Sequence, residues 1–284
     1  MQDSKKTTIN CKGRLLNLSK PLVMGILNIT NDSFYKGSRH PLEVQWETRV
    51  SQMLSEGAAI IDIGAVSTRP GSEGLSPKDE CRKLKPALKK LTDTFPDAVF
   101  SVDTYHAVVA EFAVDHGAAL INDISGGDMD ENMFATIARL NVPYILMHMQ
   151  GTPETMQINP HYNNIVKEIS MYFSVRLEKL RSMGVCDIIL DPGFGFGKTV
   201  EHNYTLLDNF EYFRFFDLPM MAGLSRKSMI NRTLGIQPDD ALNGTSVLNT
   251  IALLKGADIL RVHDVKEAVE TVKLVEMMGK TVNR

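Results

Sequence analysis

Asp187-Ile-Ile-Leu-Asp191-Pro-Gly-Phe-Gly-Phe-Gly-Lys198 is the stretch on which the fold turns. Ile188 to Leu190 is a short apolar run of the kind that forms a buried strand. It ends on a carboxylate, Asp191, and Pro192 and Gly193 then forbid continuation of a ladder. Three glycines at alternate positions carry two phenylalanines between them. Such a loop gives up conformational entropy that folding must recover elsewhere, so it is expected to close around something flat. It is not a Walker phosphate loop, because the position five before Gly197 is Pro192. The dinucleotide fingerprint fails too, having two residues where this loop has one.

The same grammar, an apolar run ending on a polar group and then a helix, recurs on both sides of this stretch. Downstream come Met220–Ala222, followed by Gly223, Ser225, Arg226 and Lys227, and then Ile259–Val262, with Arg261 inside it and His263 just after. Upstream are Val23–Leu27 ending at Asn28, Ala59–Ile63 carrying Asp62, and Val99–Val102 ending at Asp103. Leu120–Ile121 ends at Asn122 and Asp123, and Tyr144–Met147 at His148. Helical stripes fill the gaps: Trp46, Val50, Met53 and Leu54 with Gly57 as stop; Cys81, Leu84, Leu88 and Leu91 behind a Ser76-Pro77 start; and Val108, Val109, Phe112 and Ala113 up to Gly117. Met133, Phe134, Ile137 and Ala138 line the next helix, and a long one runs from about Ile165 to Met183. Val247, Leu248, Ile251 and Ala252 mark another, and Val265 to Met278 the last. Eight strands alternating with helices form a parallel sheet buried on both faces. Eight units in about 260 residues make a (β/α)8 TIM barrel, with an open doubly wound sheet as the rival. Residues 1–20, with Thr8–Cys11 and Leu15–Leu18 around Gly13, read as a short hairpin that caps one barrel end. No linker appears, so residues 1–284 are expected to be one domain.

Composition narrows the function. The hydrophobic share of 43% and charged share of 23% are those of a globular protein, and a net charge of -3 offers no bulk attraction to nucleic acid or anionic membrane. No apolar run reaches the roughly 20 residues of a membrane span. The first twenty residues lack the apolar core of a signal peptide. Cys11, Cys81 and Cys186 are odd in number and far apart, which points to free thiols in a reducing cytoplasm.

In a parallel barrel every downstream strand end opens on one face, where catalysis takes place. Taken singly, an Asp or Asn there is most simply a helix cap, above all Asp62 and Asp123. Taken together, Asn28, Asp62, Asp103, Asn122, His148, Asp191, Lys227, Arg261 and His263 offer carboxylate, amide and ammonium to a flat heterocycle, or else form a structural ion-pair ring. Arg69, Arg261 and His263 are anion ligands in type. Ser225-Arg-Lys-Ser228 could add main-chain N–H groups. The loops Asn28–Gly37 and Ser67–Gly71 have the polar, Gly- and Pro-containing character of lids. Without His/Cys ligand spacing, any ion would be Mg2+ held mainly by substrate phosphates.

These segments resemble the dihydropteroate synthases, in order and over nearly the whole chain: Met24-Gly-Ile-Leu-Asn-Ile-Thr with Asp32-Ser-Phe34, Ile60-Ile-Asp-Ile-Gly with Ser67-Thr-Arg-Pro-Gly71, Ser101-Val-Asp-Thr, Ile121-Asn-Asp-Ile-Ser, Met147-His-Met, the 191–198 loop, Gly223-Leu-Ser-Arg-Lys-Ser and Arg261-Val-His-Asp-Val. The resemblance implies transfer of a dihydropterin-methyl group from its pyrophosphate ester to p-aminobenzoate. It implies a pterin site of Asp103, Asn122, Met147, Asp191, Phe196, Lys227 and Arg261. Pyrophosphate would meet Asn28, Thr68, Arg69, Arg261 and His263, with Mg2+ at Asn28. p-Aminobenzoate would lie among Phe34, Thr68, Pro70, Phe196, Ser225 and Lys227, a pocket where sulfonamides could compete. A homodimer is the family expectation. Asn31, Lys36 and Val66 depart from the family pattern. An acid is usual at position 36, and Asp32 is the substitute there, so the catalytic set reads Asp32, Asp103, Lys227, Arg261 and His263. A pterin-presenting methyltransferase module and a silent paralogue are the other readings.

Overall fold

A computed structural model of the protein describes residues 7–29, 42–66 and 74–282. Strands β1 (Thr8–Cys11) and β2 (Arg14–Asn17) form the expected antiparallel hairpin. Its turn residues, Lys12 and Gly13, both have positive φ, the geometry of the tight turns that match strand twist. The alternation then begins with β3 (Leu22–Asn28), α1 (Leu42–Glu56), β4 (Ile60–Gly64), α2 (Pro77–Thr94), β5 (Phe100–Asp103), α3 (Ala107–Asp115), β6 (Leu120–Asp123) and α4 (Met133–Leu140). It continues with β7 (Tyr144–Met147), α5 (Ile165–Ser182), β8 (Ile188–Asp191), α6 (Val200–Asp208), β9 (Met221–Ala222), α7 (Ser228–Leu234), α8 (Leu242–Leu254), β10 (Ile259–Val262) and α9 (Val265–Val282).

The eight strands from β3 onward pair in parallel, in the order β8-β7-β6-β5-β4-β3-β10-β9. A single parallel bridge, Leu190 to Met220, joins the two ends of that order and closes a barrel, helped by Leu190 N–H donating to Pro219 O at 2.9 Å. The open-sheet rival is thereby excluded.

Alternation along each strand sorts its residues into two layers. Ile61, Ile63, Val102, Ile121, Tyr144, Leu146, Leu190 and Val262 point outward and pack in the layer beneath the helices. Met24, Ile60, Leu120, Ile145, Ile189, Met221 and Ile259 point inward and pack with Ile9, Cys11 and Leu18 of the hairpin region. The hairpin therefore plugs the upstream end of the barrel, as its sequence suggested. One step further along the inner face, the same strands present Asp62, Asp103, Asn122, Met147, Asp191 and Arg261. The barrel is thus apolar and closed at one end and polar at the other.

The helix starts follow local chemistry where such chemistry exists. Ser76 caps α2, its hydroxyl accepting from Asp79 N–H at 3.2 Å, with Pro77 in the first turn. Two stripe assignments need correction: Val108 and Val247 are 64% and 51% exposed, and α3 buries Val109, Ala110, Ala113 and Val114 instead. Between Lys198 and Met220, α6 and a 3-10 turn (Phe210–Phe216) occupy a stretch in which the sequence showed no element. Helix α7, directly after Lys227, is likewise new.

Candidate active site

Arg261, from β10, is the hub of the polar end. Its Nε donates to Asp62 Oδ2 and its Nη2 to Asp103 Oδ2, each at 2.7 Å. Asn122 Nδ2 donates to the same Asp62 oxygen at 2.9 Å. Three strand ends, β4, β5 and β6, are so tied to a fourth. Asp62 Oδ1 and Asn122 Oδ1 are buried acceptors without a hydrogen-bond partner, the kind of vacancy that a ligand's N–H groups would fill. Asp62 is therefore a member of the site rather than the helix cap its sequence context suggested. Asp123, one residue past Asn122, caps no helix either, since α4 begins at Met133 behind Asn132; it holds the turn after β6, accepting from Ser125 N–H and Oγ, both at 2.7 Å, from Gly127 N–H and from the Tyr144 hydroxyl.

Across the mouth stand Asp191 and Lys227. Burial raises the Asp191 pKa, with Lys227, the Gly193 N–H at 2.8 Å and Arg261 pulling it back. Burial pulls Lys227 down to about 8, and Asp191 works against that. Burial pushes Asp103 up to about 7 while Arg261 draws it down. A carboxylate bonded to a guanidinium at 2.7 Å is in its charged form. Burial, then the Arg261 charge, lower His263 to about 4, so the imidazole is neutral at neutral pH. Its main chain is fixed on both sides. His263 N–H donates to Ser225 Oγ at 3.2 Å, and His263 O accepts from Arg49 Nη2 at 2.6 Å. Arg226, at φ 56°, clamps the neighbouring Asp264 through Nε and Nη2 at 2.9 and 2.8 Å. That clasp couples the Ser225–Lys227 and Arg261–His263 segments. Arg226 N–H is taken by Thr245 Oγ1 and Lys227 N–H by Leu224 O, so these two donors do not face outward as the Ser-Arg-Lys-Ser segment had suggested.

The glycine-rich loop forms one wall. Gly193 and Gly197 have φ of 72° and 63°, and a Cβ on them would fall 1.9 Å from His148 O and 2.4 Å from Gln150 O. Only glycine fits this close approach to the β7–α5 connection. The two phenylalanines diverge. Phe194 is fully buried, its ring 6.0 Å from that of Phe210, whereas Phe196 is half-buried beside Met147, Met149, Met156, Tyr105 and Ile124. The Lys227 ammonium lies 4.3 Å from the Phe196 ring centroid and donates to Phe194 O. His148, a strand-end group, turns into the wall, where its ring stands edge-on to Tyr172 at 4.7 Å and its Nδ1 accepts from Lys198 Nζ at 3.0 Å. Burial and the adjacent Lys198 hold its pKa well below the usual value.

Of the sequence candidates, Asp103, Asn122, Met147, Asp191, Phe196, Ser225, Lys227, Arg261 and His263 thus gather at one end of the barrel, and Asn28 is exposed at the same end of β3. Asp32, Phe34, Thr68, Arg69 and Pro70 lie outside the described residues, as do Asn31 and Lys36. Among the described residues no group of three or more His, Cys, Asp or Glu side chains could hold a metal ion. Among them, too, no helix is long and apolar enough to cross a membrane.

Residues 24–263 match the family model described as pterin binding enzyme. The dihydropteroate synthase of Escherichia coli K12 is 40% identical over 267 residues, which cover 93% of this chain and 94% of that protein. A crystal structure of the Yersinia pestis dihydropteroate synthase with a sulfonamide drug complex superposes with a TM-score of 0.90 at 40% identity, covering 96% of this chain and 99% of that one. The Xanthomonas albilineans dihydropteroate synthase with 4-aminobenzoic acid gives a TM-score of 0.90 at 33% identity, covering 96% and 98% of the two chains.

Proposed function

The chain belongs to the pterin-binding enzymes and, among them, to the dihydropteroate synthases, and from that premise we infer how its mouth works. The enzyme is a transferase. It joins the methylene carbon of a dihydropterin pyrophosphate ester to the amine of p-aminobenzoate, releasing pyrophosphate and forming dihydropteroate. The observation that carries the site assignment is the Arg261 hub, bonded to Asp62 and Asp103 while Asp191 and Lys227 face it.

In this reading the pterin lies edge-on to Asp103, Asn122, Asp191 and Lys227, with Met147 and Phe196 against its faces. The unpartnered oxygens of Asn122 and Asp62 take its remaining N–H donors. Arg261 spans the ring and, with His263, Asn28, Thr68 and Arg69, receives the pyrophosphate. The anion's charge raises the His263 pKa from its depressed value, so the imidazole becomes a proton donor to the leaving oxygen. Charge preorganised around the departing group favours a dissociative path, with positive charge developing on the exocyclic carbon. Phe34, Pro70, Phe196, Ser225 and Lys227, with Thr68 beside them, hold p-aminobenzoate flat. Its weakly basic amine then needs positioning more than a general base. Asp32 is assigned the acidic role that Lys36 cannot fill. The loops Asn28–Gly37 and Ser67–Gly71, whose polar, Gly- and Pro-containing sequences suit lids, would exclude water from the cation.

The Asn28 amide oxygen suits Mg2+, a hard ion that accepts one protein oxygen beside substrate phosphates. When bound, the ion neutralises charge on the pyrophosphate. A homodimer, a cytoplasmic setting and a single domain spanning 1–284 complete the reading.

Incubation with the dihydropterin pyrophosphate, Mg2+ and p-aminobenzoate, followed by chromatography, tests it: dihydropteroate and pyrophosphate are expected in equal amounts. Intact pterin binding with no product would mark a silent paralogue instead.

A further inference from the structure

The glycine-rich wall has a property that its glycines do not explain. Each of its four successive carbonyls, from Phe194 to Gly197, accepts a hydrogen bond from a side chain. Phe194 O accepts from Lys227, Gly195 O from Gln157 Nε2 at 2.7 Å, Phe196 O from Lys198 Nζ at 3.0 Å and Gly197 O from Tyr162 OH at 2.8 Å. The Gly195 N–H is held as well, by Asn203 Oδ1 at 2.7 Å. A loop with such cheap backbone freedom is thus pinned residue by residue, and freedom that glycine introduces is removed by polar contacts.

Lys198 is the central pin. Its side chain is buried, 3% exposed, and besides Phe196 O it reaches His148 Nδ1 at 3.0 Å and His148 O at 3.4 Å. It therefore ties the end of β7 to the carbonyl of the one residue whose ring faces Lys227. A buried lysine is costly unless its donors are matched, and here three acceptors meet it.

We propose that Lys198 is a positioning residue for the aromatic amine: by fixing the Phe196 carbonyl against His148 it sets the Phe196 ring beside Lys227, and with it the affinity for p-aminobenzoate. It touches neither substrate. The inference rests on the assignment of Phe196 and Lys227 to the p-aminobenzoate pocket.

Steady-state kinetics on the full-length Lys198→Met and Gln157→Ala variants, each substrate varied in turn, test it alongside thermal melting. Lys198→Met is expected to raise KM for p-aminobenzoate about tenfold, the scale of one lost hydrogen bond, with KM for the pterin ester, which Phe196 also borders but other residues anchor, rising by no more than about threefold and kcat within about threefold. Gln157→Ala removes an exposed pin and is expected to raise the same KM by about twofold to threefold at unchanged Tm. Gln157→Ala decides if Lys198→Met does not fold. Two KM values rising by the same factor, or neither moving, would overturn the proposal. If the wild-type protein makes no dihydropteroate, it is the functional reading that fails. Hydrogen exchange over 193–197 then judges the brace: faster exchange in Lys198→Met supports it, and an unchanged rate overturns it.

Discussion

The two ends of this barrel are built from the same strands and differ only by a step of two residues along each inner face. Ile60, Leu120, Ile145, Ile189 and Ile259 fill the upstream end, where the hairpin seals them from water. Asp62, Asn122, Met147, Asp191 and Arg261 follow them at the downstream end, which carries the buried charges. The contrast teaches that stability and chemistry are separated along the barrel axis rather than between strands. One end is held by apolar contact, which tolerates no ligand. The other is held by ion pairs that are weak evidence of stability in themselves and leave acceptors unfilled.

The sharpest way to break the contrast is Arg261→Met. It leaves Asp62 and Asp103 as uncompensated buried carboxylates, so a stability loss of about 3–5 kcal/mol is expected in urea unfolding. The same change should lower kcat/KM by about 10²- to 10³-fold, because it removes charge aimed at the leaving group. A variant with normal turnover would remove Arg261 from the hub role.

A paired substitution on β8 sharpens the comparison. Ile189→Ala should cost about 2–5 kcal/mol of stability through a core cavity. Its KM values should stay within error of wild type. Asp191→Asn, two residues on, should weaken pterin binding by about 2–3 kcal/mol, measured by titration calorimetry. If the two variants changed stability and affinity in the same proportion, the axial division would not hold.

The smallest expected effect concerns Glu80, in the first turn of α2. Its carboxyl is 1% exposed, neither oxygen is in a well-formed hydrogen bond, Thr104 being its nearest hydroxyl neighbour, and His106 Nε2 lies 4.0 Å away. Burial raises its pKa from 4.5 to about 7, with Thr104 pulling it down and Asp103 pushing it further up. The folded pKa exceeds the unfolded one, so the folded state keeps a proton that the unfolded chain releases. Stability therefore falls as pH rises from about 4.5 to about 7 and stays lower above that. Glu80→Gln should flatten this slope and stabilise the protein by about 1–3 kcal/mol at pH 8. At pH 4 the two proteins should melt together. An unchanged slope would mean that Glu80 is not the group responsible.

Much of this design is readable in the chain because alternation in a parallel strand is local. The pattern Ile-Leu-Asp at 189–191 already states which residue closes the core and which meets the mouth. Local chemistry also makes Ser76 legible as a cap, since its partner Asp79 lies within one helical turn, whereas the nearby partners of Asp123, Ser125 and Gly127, belong to a turn and not to a helix start. Asp62 reads as a cap for the opposite reason: its partner Arg261 is 199 residues away, and nothing nearby separates it from one. His148 looks like a mouth residue from its strand-end position, because its partner Lys198 comes from the next strand end. Helix α6 announces itself only by the Thr199–His202 capping box, a His variant of the usual Glu or Gln signal, and so has no familiar start in the sequence. Val108 and Val247 show that a valine at helical spacing does not say which side of the stripe's edge it will occupy.

The closure of the barrel has a consequence for how the molecule breathes. Strand β9 has two residues, and the Leu190–Met220 bridge just before it, with the Leu190 N–H bond to Pro219 O, stitches that segment to β8. This seam is the thinnest place in an otherwise continuous wall, and Asp191 and Lys227 stand on its two lips. A guest gripped from both lips becomes the missing rungs of the ladder, so an occupied enzyme would resist parting along a line where the empty one yields first.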